Sequence, residues 1–291
     1  MAQLTEAEIK ALITLLADED ERTFSVARRV LLEARKTTLP YLESATHSSD
    51  AVVRGRVRTL LDSIRLDGLE ERFRQLLTET DPLRELETGC QLLAEYAFPD
   101  VDMARYGEQL SVTAQELEEL LRGRRDARTA VPILVRFLAE EKNLHGDDRY
   151  FQDPDGSYLN RVLDRGVGIP ISLSIVYLLV AQRIGLPLHG VGLPGHFVVK
   201  WEDARDTVYL DPYHGGKALT VEECRRLVEE GGHPFRETHL RAVTPRQMLA
   251  RLMTNLIWIY EQAGEVVAAR QVARFRSILL SGRRRTANTG A

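Results

Sequence analysis

The stretch Ile171–Gly185, ISLSIVYLLVAQRIG, constrains this chain more than any other feature. It is apolar around most of a helical circumference, so a helix formed here must be covered on nearly every side. Pro170 suits a first helical turn and Gly185 a C-terminal stop. A helix of this kind needs other elements wrapped around it, and the flanking sequence supplies two types of wrapping.

On the N-terminal side, from Glu6 to about Ala139, apolar residues recur at three- and four-residue spacing, and Gly and Pro act as separators. The spacing predicts helices near 6–16, 24–34, 52–64, 69–77, 83–96, 114–121 and 130–143. Asp20, Ser49 or Asp50, Asp81 and Thr113 are candidate caps, with Pro82 in a first turn. FSVARRVLLEA and AVVRGRVRTLL, about 27 residues apart, look alike and suggest HEAT-like stacked hairpins over residues 1–80.

On the C-terminal side the period shortens. HGVGL, HFVVKW and TVYLDPY are rich in β-branched and aromatic residues, separated by Pro194-Gly195 and the polar EDARD, a pattern of short antiparallel strands. The segment 146–168 reads as an irregular cover holding one short helix near 158–163, with Arg161 and Arg165 placed to pair with its acids. Helix returns at 221–230. A final helical pair follows, PRQMLARLMTNLIWIYEQAG and EVVAARQVARFRSILL, in which Trp258 and Tyr260 read as packing residues. The tail from 282 is basic, and Arg283, Arg284 and Arg285 read as solvated. The fold class is therefore mainly α with an α+β core.

With 39 basic and 43 acidic side chains the net charge is −4, so no global positive field draws nucleic acid. No apolar run reaches the roughly 20 residues that span a bilayer, and the start MAQLTEAEIK has no signal-peptide pattern. These observations lead us to expect a cytoplasmic protein without nucleic-acid or membrane partners. Cys90 and Cys224 are too few for a disulfide framework and lie in predicted helices, where they read as small core residues.

His196, before one strand, and Asp211, ending the next, are the best chemical pair, since a carboxylate fixes the tautomer and charge of an imidazole. A nucleophile would sit at the opening of the Pro170 helix, where the dipole favours an anion. That opening offers Pro170, Ile171 and Ser172, and no cysteine. Ser172 is the hydroxyl candidate for a Ser172–His196–Asp211 arrangement, against a capping role at the same position; Ser174 points elsewhere. His189, His196, Asp211 and His214 fall in one region but form no compact metal motif, so neither metal nor cofactor is expected. The glycines complete no phosphate-binding fingerprint, and aspartates 147, 148, 153 and 155 lack EF-hand order.

The ordered elements GIPISLS, GLPGHF and LDPYHGG, within about 142–219, resemble the transglutaminase-like domain of the SirB1 family. The helices from about Asp81 resemble that family's N-terminal part, and the last hairpin its tetratricopeptide-like region. The resemblance implies a transglutaminase-like domain over 81–240, a hairpin over 241–281, and a papain-like core in which a helix-opening cysteine faces histidine and aspartate. His196 and Asp211 then take the histidine and acid places, and Pro170 or its neighbour stands in the cysteine place. Gly156-Ser157 stands where the family commonly has an Asn-Ser pair. The implied function is a regulatory or protein-interaction module with a degenerate centre, whose partner is a protein or peptide; the alternative is a Ser172-dependent amidase or peptidase.

Overall fold

The computed structural model describes residues 4–282 and divides into two compact units, one ending at Arg72 and one beginning at Phe73. The basic stretch Arg283–Arg285 lies outside the described residues.

The first unit is helical. Helices α1 (Glu6–Leu15), α2 (Glu21–Glu33), α3 (Arg35–Ala45) and the start of α4 (Ala51–Leu76) contribute to it. Thr5 and Glu8 cap α1 reciprocally, Asp20 caps α2, and Asp50 accepts the Val52 and Val53 amides at the opening of α4. One-sided stripes meet in a core containing Ile9, Leu31, Leu42, Val57 and Leu60. Two departures from expectation have local causes. The segment after Ala34 forms α3 although it carries Pro40, and Thr38 anchors it by donating to the Leu31 carbonyl at 2.9 Å. The two helices expected at 52–64 and 69–77 are one, because a mid-helix glycine such as Gly68 costs only about 1 kcal/mol.

In the second unit, α5 (Pro82–Ala97) opens on the Asp81 cap with Pro82 in its first turn. Helix α6 (Met103–Leu121) starts at the Asp102 cap, well before the expected 114. Thr113 consequently lies inside it and donates to the Gln109 carbonyl instead of capping. Helix α7 (Ala127–Val135) continues as a π-helical turn to Glu141. The irregular cover follows: β1 (His145–Gly146), two 3-10 turns, α8 (Leu159–Arg165) and β2 (Val167–Gly168). Strands β1 and β2 pair in parallel, His145 opposite Val167, an unexpected closure of this loop.

Helix α9 (Pro170–Arg183) is the centre of the unit. Every residue from Pro170 to Ala181 is buried, and α5, α6, α8 and α11 pack on it together with the sheet. That sheet is antiparallel in the order β3 (Leu188–Val191), β4 (Val198–Glu202), β5 (Thr207–Asp211), β6 (Lys217–Leu219). Leu188 faces Trp201, Val199 faces Leu210, and Asp211 faces Lys217. The fourth strand, β6, was not legible as an alternating pattern in three residues. Helix α10 (Val221–Glu230) covers β6. The hairpin α11 (Pro245–Gln262) and α12 (Val266–Ser281), set apart in sequence as 241–281, belongs to this same unit and packs on α5 and α9. Among the described residues no helix is long and apolar enough to cross a membrane.

Candidate functional site

The site forms where the opening of α9 meets the turn before β4 and the end of β5. The turn at Pro194-Gly195 is sharp, and Gly195 has φ +80°, a conformation that L side chains rarely adopt. The chain thus delivers His196 just ahead of β4, whose Val198 pairs with Val191. Pairing of β4 with β5 sets Asp211 beside it. His196 Nε2 lies 2.8 Å from Asp211 Oδ2. A carboxylate only accepts, so Nε2 carries the proton and Nδ1 is the free acceptor of the neutral ring.

Asp211 is 1% exposed, and its oxygens are fully used. Oδ2 also accepts from His214 Nδ1 at 2.8 Å, while Oδ1 accepts the Tyr213 and His214 amides at 3.1 and 3.3 Å. Burial pushes this carboxyl's pKa up, but the hydrogen bonds and charges of His196 and His214 outweigh it and hold it below the ordinary value. Tyr213 meets the His196 ring edge to face, and its hydroxyl bonds to Asp148. The imidazole is therefore fixed on its Asp211 side.

Donor atoms of His196, Asp211 and His214 lie within 4.8 Å of one another and make the one candidate metal set among the described residues. His189 is not part of it, lying in β3 opposite Lys200. Both imidazoles donate to one carboxylate oxygen, so the trio is complete as a hydrogen-bond network. Binding a metal would require both nitrogens to release their protons.

The opposite side of His196 faces a cleft of about 620 Å³. Ile169, Pro170 and Ile171 from the opening of α9 line it, with Phe151, Phe197 and one face of α11. Pro170 occupies the first helical turn and has no nucleophilic atom. Neither cysteine replaces it. Cys90 is buried in α5, with its thiol pKa raised by burial and by Glu87. Cys224 sits in the cluster with Val191, Val198 and Leu219, and burial, then Asp211 and Glu223, push its thiol up to about 11.

Ser172 is brought to the same helix end in a different role. Its hydroxyl donates to the Gly156 carbonyl at 2.6 Å, lies 3.0 Å from the Ile169 carbonyl, and accepts the Ile169 amide at 3.0 Å. It is 3% exposed, does not line the cleft, and no hydrogen bond joins it to His196. The close fit extends to Gly168, where a Cβ would lie 2.6 Å from the Ser172 oxygen. The structure thus joins His196 to Asp211 and uses Ser172 to tie the irregular cover to α9. The acids of that cover are similarly engaged, with Asp155 bound by Arg161 at 3.3 Å and Arg165 at 2.6 Å.

Sequence reasoning missed the α11 wall. Arg251, Thr254, Asn255 and Trp258 line the cleft at the i, i+3, i+4, i+7 spacing of one helical stripe. The stripe between them, including Leu249, Leu252, Met253 and Leu256, is the packed one. Trp258 is thus 47% exposed at the cleft instead of a packing residue, whereas Tyr260 does pack inward, its hydroxyl 2.5 Å from that of Tyr158. A polar and aromatic stripe beside an apolar one on a single helix was the available signal.

Comparison with known proteins agrees with this geometry. Residues 104–254 match the transglutaminase-like superfamily. The chain is 32% identical over 198 residues to a UPF0162 protein of Xylella fastidiosa, covering 65% of this chain and 69% of that one. A UPF0162 protein of Pseudomonas aeruginosa is 33% identical over 192 residues, with the same coverage of 65% and 69%. Human F-box only protein 21 is 35% identical over 135 residues, which are 44% of this chain and 21% of that protein. No solved structure is matched. The superfamily match takes in α9, the His196–Asp211 pair and the α11 stripe as far as Thr254, and it spans just over half of the sequence; the chain belongs to the transglutaminase-like superfamily and groups with the UPF0162 proteins.

Proposed function

We propose that this protein is a recognition module: a transglutaminase-like core with a degenerate Cys–His–Asp centre that binds a protein or peptide in its cleft and does not turn it over. The observation that carries the reading is Pro170 at the opening of α9, beside a cleft that His196 lines and that stays open. Acyl transfer through a covalent intermediate needs a nucleophile within hydrogen-bond reach of its base. Ser172 is spent on backbone groups, so the amidase or peptidase alternative loses its attacking atom.

The occurrence of a similar segment over one fifth of human F-box only protein 21 supports a module that works attached to different chains. Within the superfamily we read the protein as SirB1-like on its GIPISLS, GLPGHF and LDPY elements. The HEAT-like first unit and the tetratricopeptide-like α11–α12 hairpin are then further partner-binding surfaces of a regulatory, cytoplasmic protein.

The test has two arms. The wild-type chain, incubated with a glutamine-rich protein and a fluorescent amine, is expected to incorporate none; incorporation that disappears in His196→Ala would overturn the reading. In Pro170→Cys, iodoacetamide is expected to label the new thiol at least tenfold faster than Cys90 or Cys224, with the advantage lost when His196→Ala is added. Absence of that advantage would mean Pro170 does not occupy the nucleophile's place.

A further inference from the structure

The cleft is not neutral in what it offers. Arg251 projects from α11 into a lining that, among the described residues, contains no carboxylate. It is half-buried, and among the described residues it makes no hydrogen bond, ion pair or ring contact, and burial alone lowers its pKa. Two other arginines of this unit are matched, Arg183 by Glu87 at 2.6 Å and Arg246 by Glu85 at 2.8 Å, whereas Arg276 on α12 has a buried Nε without a hydrogen-bond partner. A guanidinium taken partly out of water without a counter-charge is unfavourable, and the planar fork fits a carboxylate with two parallel hydrogen bonds.

Two further features share that sign and place. The positive end of the fourteen-residue α9 opens on the cleft without a side-chain cap at Ile169. His196 lines the same wall, and the carboxylate it binds, Asp211, is outside the lining and accepts from four donors. Around these polar groups the walls are apolar. Phe151 and Trp258, 40% and 47% exposed, are among the large hydrophobic side chains this protein leaves in water, and both belong to the cleft. Thr254 and Asn255 add groups suited to a peptide backbone.

We propose that the cleft receives the C-terminal carboxylate of a polypeptide ending in an apolar side chain, with Arg251 as the counter-charge and Phe151 and Trp258 holding the terminal side chain. This rests on the recognition reading and names its ligand. A cleft of about 620 Å³ accommodates two or three residues, so the chain end enters while the rest of the polypeptide stays outside. An internal segment of apolar residues brings no charge to Arg251.

The probe is a fluorescein-labelled hexapeptide ending in leucine, prepared as the free acid and as the C-terminal amide, titrated into the full chain by fluorescence anisotropy. The free acid is expected to bind at least tenfold more tightly than the amide. Arg251→Gln, with an unchanged melting temperature, is expected to abolish that preference, Arg251→Lys to restore part of it, and Trp258→Ala to weaken the acid at least fivefold. Should the glutamine variant fold poorly, the acid-to-amide ratio on the wild-type chain decides alone. Equal binding of acid and amide, or binding of neither, overturns the inference. Competition by N-acetyl-leucine as strong as by the peptide overturns the polypeptide assignment in favour of a small carboxylic acid. Cleavage of the peptide or amine transfer to it, lost in His196→Ala, would sink the recognition reading itself, and mass spectra of the same samples report it.

Discussion

Buried polar groups in the two units draw on partners at different separations along the chain. In the first, the buried Thr38 hydroxyl finds the Leu31 carbonyl seven residues away, so the need created by burial is met within one helical elbow. In the second, Asp211 is met by His196 from across a strand pair, and Ser172 by Gly156 from the irregular cover. Local satisfaction suits stacked helices with one-sided stripes, whose cores depend on apolar volume. Satisfaction at a distance ties loops, strands and a central helix to one another and holds a cleft in a fixed shape. A substitution is accordingly felt as lost volume in the first unit and as lost positioning in the second.

Three substitutions test whether the two units respond differently. The largest expected effect is in the first unit, where Leu31→Ala removes a fully buried side chain and is expected to cost about 3 to 4 kcal/mol in denaturant unfolding. Its amide-exchange signature is expected to stay within residues 4–72; spread to α9 would refute the independence of the two cores.

Next comes Asp211→Asn, expected to cost about 2 to 3 kcal/mol at neutral pH because donors lose a charged acceptor. The Asp211 carboxyl titrates below its ordinary range in the folded chain. Its stabilisation is therefore complete above the unfolded carboxylate pKa of about 3.9 and is lost as pH falls through that value toward the lower folded one. The gap between wild type and variant is expected to narrow on acidification from pH 7 to pH 3. A gap that widens would show that the network is held by something other than the carboxylate charge.

The smallest effect is expected for Ser172→Ala, about 1 kcal/mol from the lost hydroxyl bonds to the Gly156 carbonyl and the Ile169 amide, because that amide keeps the Gly156 carbonyl at 3.2 Å. Binding to the cleft is expected to persist once folding is verified. A loss of binding without loss of stability would return Ser172 to a functional role.

Much of the architecture follows from pattern alone. Asp20, Asp50 and Asp81 start their helices where a cap residue precedes an apolar stripe, and β3, β4 and β5 lie at HGVGL, HFVVKW and TVYLDPY. Pattern failed where a residue that often starts or ends a helix lies inside a longer one, at Pro40 within α3, at Gly68 within α4 and at Thr113 within α6. Strands of two or three residues, β1, β2 and β6, are too short to show an alternation. At the site, His196 and Asp211 were legible because each adjoins a strand and a sharp turn.

Residue order alone requires that a helix with no polar face sit at the centre, that a histidine and an aspartate flank paired strands, and that no thiol open that helix. These are properties of composition and short-range order, and the chain carries them in any conformation. Packing is what commits the Ser172 hydroxyl to Gly156, brings His214 and His196 to one carboxylate oxygen, and turns Arg251 and Trp258 to the same cleft. Each of those depends on which surfaces meet, and residues far apart in the chain acquire a common environment only when the apolar core closes between them.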